Sequence, residues 1–128
     1  MIFEKYNKNP RNIKASDCVV RAIATALNQS WLQTYNDLCN LGADLCRMPN
    51  EPITYERYLK QKGFDKQKMP KREDNTRYTV EEFADELADV DKVYIISVAK
   101  HLTVLRGVTL VDTWNCSYKS VGNYWVVN

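Results

Sequence analysis

One imidazole serves the whole chain, that of His101. Any proton transfer by a histidine runs through it, which narrows the question to a nucleophile it could activate and a group that could orient it. Four cysteines compete for the first role: Cys18, Cys39, Cys46 and Cys116. Cys18 follows Ser16 and Asp17, both helix-capping types, and precedes Val19, Val20, Ile23, Ala26 and Leu27, apolar positions at helical spacing. It therefore opens a helix, where free backbone N–H groups and the macrodipole favour a thiolate and pull a thiol pKa down from about 8.5. On a helical wheel it falls away from the apolar stripe, beside the small Ala22 and Thr25, so packing does not account for it, although a small buried thiol is the usual state of a free cysteine. Cys39 lies in the apolar stripe of the next helix, Cys46 ends that segment beside Leu45, and Cys116 falls in a late loop; each reads as core filler or a loop thiol. One histidine with the spacing Cys39-x6-Cys46 makes a poor zinc site, and no metal or organic cofactor is expected.

The orienting group follows from hairpin register. If His101–Leu105 and Val108–Asp112 are strands joined by the turn Arg106-Gly107, Leu105 faces Val108 and His101 stands directly opposite Asp112 on one sheet face. Opposed residues have Cβ atoms about 4.5–5.5 Å apart, near enough for the carboxylate to accept the imidazole Nδ1–H while Nε2 faces a thiol. A symmetric four-residue loop keeps this pairing, whereas a three-residue loop turns Asp112 to the other face. A plain surface pair at a strand end is the competing reading.

These side chains need elements to hold them. Residues 1–17 read as an irregular arm rich in Asn, Lys and Pro. A helix from Cys18 to Asn28 follows, then a second after Ser30 with Gly42 as its weak point, then a short third around Tyr55, Tyr58 and Leu59 stopped by Gly63. Thr79 with Glu82 three places on is a capping box opening a fourth helix. From Val93 the period changes to strands: Val93–Val98, His101–Arg106, Val108–Trp114 and Asn123–Val127. Helices first and strands last predict an α+β fold, a mainly antiparallel sheet burying its apolar face on the first helix.

Composition sets the bounds. With 128 residues, 45% of them apolar, the chain fits one domain spanning residues 1–128. A net charge of +2, from 18 basic against 16 acidic residues, implies neither nucleic-acid nor membrane partners, and the basic run Lys66 to Arg72 has no interleaved aromatics. No signal-peptide or membrane-spanning segment is read, and sparse cysteines without a CxxC pair point to the cytoplasm. Nothing in the sequence sets an oligomeric state.

A cysteine opening an early helix, a histidine starting a later strand and Asp112-Thr113-Trp114 on the next strand together resemble the papain-like cysteine peptidases, whose Asn-Ser-Trp is similar to that last run. The resemblance implies that Trp114 shields the histidine's hydrogen bond. Asp17-Cys18 is similar to the helix start of the compact bacterial peptidases that remove bacteriocin leader peptides; these place a Gln six residues before the Cys, where this chain has Asn12. By that resemblance Asn12 and the Cys18 N–H would form the oxyanion hole. The chain also resembles uncharacterised small proteins of Gram-positive bacteria and their phages. The expectation is a thiol hydrolase cutting a peptide or isopeptide bond of a peptide or protein substrate, with Cys18 as nucleophile, His101 as base and Asp112 as orienter. The alternatives are a catalytically idle module or phage effector that binds a host peptide in the same cleft, and an acyltransferase or amidase using the same triad.

Overall fold

The computed structural model describes residues 1–127 and opens with a strand, β1 (Ile2–Lys5), where composition points to an irregular arm. Four residues that include Glu4 and Lys5 carry little strand propensity of their own. The ladder is supplied by a partner about a hundred residues away, with which β1 pairs in parallel at the sheet edge, the place where charged residues are tolerated.

Four helices follow: α1 (Cys18–Leu27), α2 (Trp31–Leu45), α3 (Pro52–Gln61) and α4 (Val80–Glu86). Their ends are set by local chemistry. Asn28 takes a left-handed conformation after α1 and caps it through backbone bonds, the Ser30 hydroxyl accepts from the Gln33 N–H at the start of α2, and Pro52 occupies the first turn of α3. Gly42, the weak point of α2 by propensity, is required by packing: a Cβ there would lie 2.6 Å from the Arg47 carbonyl oxygen, so its absence lets the chain fold back over the helix. At α4 both halves of the capping box form, Thr79 accepting from the Glu82 N–H and Glu82 from the Thr79 N–H. Thr79→Ala is therefore expected to cost about 1 kcal/mol, read as a lower denaturant midpoint at unchanged m-value.

Strands β2 (Val93–Val98), β3 (His101–Arg106), β4 (Thr109–Asp112) and β5 (Tyr124–Val126) complete a five-stranded mixed sheet in the order β1-β4-β3-β2-β5. All neighbours are antiparallel except β1 and β4. The fold is α+β, as the pattern predicts, but both sheet faces are covered rather than one. Leu102 and Val104 of β3, with Ile95 and Trp125, pack against Val19, Val20 and Ile23 of α1 and against Leu38, Tyr58 and Leu59 of α2 and α3. Leu105 and Leu110, with Tyr94 and Ile96, pack on the opposite face against Val80 and Phe83 of α4 and the later Cys116 and Val121. This explains why β2 to β4 read as near-continuous apolar runs. No helix among the described residues is long and apolar enough to cross a membrane.

Candidate functional site

Cys18 is the first residue of α1, half-buried at the end of the sheet. Asp17 before it does not cap the helix with its side chain. Its buried carboxylate instead accepts from Arg21 Nε at 2.8 Å, Trp31 Nε1 at 2.9 Å and Asn9 Nδ2 at 3.1 Å. Arg21 continues to β4, donating to Thr113 Oγ1 at 2.9 Å with the same nitrogen 3.6 Å from Asp112 Oδ1. One guanidinium thus ties the helix that carries the cysteine to the strand end that carries the aspartate, and its fork suits such bidentate work.

His101 begins β3 and Asp112 ends β4, and the two meet: His101 Nε2 lies 2.7 Å from Asp112 Oδ2. The register differs from the expected one. Arg106 pairs with Thr109, so the turn is Gly107-Val108, and the ladder continues through Leu105–Leu110 to Val104–Val111. Asp112 then falls level with Thr103, two residues along from His101. Because the shift is by two, the face is kept and the imidazole reaches the carboxylate diagonally. Gly107 moves the turn: its φ of +61° suits glycine, and a Cβ there would lie 2.5 Å from the Val90 carbonyl oxygen. The nitrogens are also exchanged relative to expectation. Nε2, not Nδ1, holds Asp112, which leaves Nδ1 as the ring nitrogen not committed to the carboxylate, and His101 lines one cleft with Cys18.

Asp112 is held on every side. Thr103 Oγ1 donates to Oδ2 at 2.5 Å, the Thr113 N–H to Oδ1 at 2.6 Å, and the backbone of Asp112 is pinned by pairing with Lys5 and by the Tyr6 N–H donating to its carbonyl at 2.9 Å. The strand hidden in the N-terminal arm therefore has a structural task at the site. Trp114, 38% exposed, sets its ring 5.0 Å from that of His101 at an interplanar angle of 51°, covering the imidazole on its outer side.

Charges follow from these contacts. Burial pushes the Cys18 thiol up, but its hydrogen bonds with His101 and the Leu102 N–H and the nearby charges of His101 and Arg21 outweigh this and bring it below 9.0. For His101, burial disfavours the cation, yet hydrogen bonds to Asp112, Cys116 and Cys18 lift it from 6.5 to about 11. Burial likewise raises Asp112, and the bonds from His101 and Thr103 more than reverse it, leaving it below 3.8. Each of the three shifts runs toward the charged form of its group.

The remaining cysteines divide as follows. Cys39 is half-buried in α2, and Cys46 is exposed where α2 ends. Cys116 is fully buried, its sulfur 3.8 Å from Asp112 Oδ2. Its sulfur, the carboxylate and a ring nitrogen of His101 lie within 4.8 Å of one another, the one nitrogen–oxygen–sulfur set among the described residues that could hold a metal ion. A metal there would have to displace the proton shared by His101 and Asp112 and force its way to a sulfur with no exposed surface.

Asn12 is exposed in a turn whose N–H donates to the Asn9 carbonyl at 2.9 Å, with φ at +53°. It lines a cleft with Tyr6, Ile13, Arg21, Thr113 and Trp114. The cleft that holds both Cys18 and His101 is a different one of about 270 Å³, walled by Val19, Pro52, Val98 and Leu102 and edged by Asn50, Tyr55, Ser97 and Lys100. Thr103 and Arg21 are supports that the sequence reading does not single out, although Thr103 shares the pleat with His101 and Arg21 stands four residues after Asp17, the spacing of a helical ion pair. Cys116 and Asn9 lie on loops with no periodicity to place them. No family model, curated protein or solved structure matches the chain.

Proposed function

We propose that the chain is a papain-like thiol hydrolase that cleaves a peptide or isopeptide bond. The observation that carries this reading is a helix-opening cysteine and the sole histidine lining one cleft, with that histidine held by a carboxylate that Thr103 and the Thr113 N–H also bond and Arg21 faces. In the proposed reaction the Cys18 thiolate adds to the substrate carbonyl, and the imidazolium gives its Nδ1 proton to the leaving amine as the C–N bond breaks. Water then attacks the thioester with Nδ1 as base, releasing the acid and restoring the thiolate. Asp112 keeps Nε2–H in place and favours the cation throughout, and the unpaired N–H groups at the start of α1 supply oxyanion donors.

A test follows from the charge state. At pH 6 iodoacetamide is expected to alkylate Cys18 at least tenfold faster than exposed Cys46, as read by residue-resolved mass spectrometry. Equal rates at the two cysteines would remove the activated nucleophile and the proposal with it. One observation favours a second reading, a binding module that does not turn over: Asn12, the side-chain donor the resemblance places in the oxyanion hole, lines the neighbouring cleft instead. A folded Cys18→Ala chain that keeps its full biological effect would decide for that reading.

A further inference from the structure

The cleft beside Cys18 is uneven in charge. Of the residues that line it, Lys100 carries the one fixed side-chain charge, a positive one, and no carboxylate faces it. Acidic groups near in sequence are engaged elsewhere. Glu51 takes the Met48 N–H at 2.6 Å and faces Arg47, and Glu56 pairs with Lys66 at 3.0 Å. Lys100 itself makes no salt bridge among the described residues and is exposed. It also holds an uncommon backbone conformation for a side-chain-bearing residue, φ +55°, in the two-residue turn Ala99-Lys100 between the paired Val98 and His101. Glycine or asparagine would sit there with less strain, and such strain concentrates where a side chain has a task. The turn places an ammonium group next in sequence to His101, which lines the cleft with Cys18. The cleft that Trp114 lines repeats the imbalance: Lys5 and Lys14 line it without salt-bridge partners among the described residues, while its single carboxylate, Asp17, is taken by Arg21.

We infer that the cleft selects peptides bearing a carboxylate close to the carbonyl attacked by Cys18, either an acidic side chain or a chain-terminal carboxylate, with Lys100 as the group that binds it. This rests on the hydrolase reading for the attacked carbonyl. Apolar Val19, Val98 and Leu102 take the adjoining hydrocarbon, and neutral Asn50 and Ser97 offer hydrogen bonds without repelling an anion. In a half-enclosed cleft a lysine with no internal partner is worth more to an incoming anion than the same lysine on open surface.

Two small reagents test this on the intact chain. Iodoacetate carries a carboxylate and iodoacetamide does not, and their rate ratio at exposed Cys46 supplies the reference. The ratio at Cys18 is expected to exceed that at Cys46 about tenfold, to fall about threefold in Lys100→Gln and to fall further in Lys100→Glu. Protection of Cys18 from iodoacetamide then separates the two sources. An end-blocked peptide with one internal glutamate protects if a side chain is read, and an uncharged peptide with a free carboxyl end protects if a terminus is read. A ratio at Cys18 indifferent to both Lys100 variants, with neither peptide protecting, overturns the inference. If that indifference accompanies fast labelling of Cys18 by both reagents, the hydrolase reading stands and the acidic preference alone is lost; if Cys18 is no faster than Cys46 with either, the hydrolase reading itself has failed.

Discussion

Replacing His101 by alanine is expected to slow alkylation of Cys18 by iodoacetamide at pH 6 about a hundredfold while leaving Cys46 unchanged. A thiol left at its ordinary value of 9.0 is about one part in a thousand thiolate at that pH. The proposed hydrolase works with Cys18 as thiolate, and since a less basic thiolate is a weaker nucleophile, roughly a factor of ten of that thousandfold is returned. The shape of the profile is as telling as the size. The intact chain should show a rate that is nearly level through neutrality, whereas His101→Ala should climb about tenfold per pH unit until the free thiol titrates. The substitution does not strand the aspartate, because Thr103, the Thr113 N–H and Arg21 still face it, so the variant is expected to fold. A variant that matches the intact chain at pH 6 would mean that helix α1 alone activates the sulfur, leaving His101 no catalytic role.

How much of this could be read in the sequence depends on whether the signal is local. The boundaries of α1, α2 and α4 follow from neighbours within one turn: Ser30 and Thr79 as caps, Asn28 as a left-handed stop, apolar residues every three or four places. Counting along a hairpin places His101 and Asp112 together, and the parity holds although the turn sits one residue further on. The count could not see Val90, which approaches Gly107 from another part of the chain and fixes where the strand reverses. β1 was hidden for the same reason, its ladder coming from β4 rather than from its own residues. Even so, it bears on the site, holding the backbone of Asp112 from the edge of the sheet. The choice of ring nitrogen was equally out of reach. Diagonal approach from Asp112, level with Thr103, presents Nε2 to the carboxylate, and no sequence spacing distinguishes that from a direct approach to Nδ1. Asp17 shows the limit of a local rule: it stands at a cap position by type, yet Arg21, Trp31 and Asn9 claim its carboxylate and turn it into a junction between three segments.

At Asp112 the two obvious substitutions should part company. Asp112→Ala removes the acceptor for Nε2–H and frees the ring, and turnover of a cleavable peptide is expected to fall between about a hundredfold and ten-thousandfold. Asp112→Asn keeps an oxygen that can accept the same proton, so position survives while the charge is lost. Its signature lies in pH dependence. Without the carboxylate His101 should descend from about 11 toward its ordinary 6.5, which draws the alkaline end of the imidazolium–thiolate window down into the neutral range. Stability should change in step. A histidine raised from 6.5 to about 11 stabilises the fold fully below 6.5, progressively less above it and not at all beyond about 11. An aspartate lowered from 3.8 contributes above 3.8 and loses that contribution as pH falls through its depressed folded value. The pair therefore supports the fold most between about pH 4 and 6.5, and the difference in unfolding free energy between the intact chain and Asp112→Asn, measured in denaturant, should be largest there and shrink toward either side. Parallel curves across pH 3 to 9 would mean that His101 and Asp112 share a neutral hydrogen bond instead of an ion pair, and that the thiolate owes its stability to α1 and Arg21.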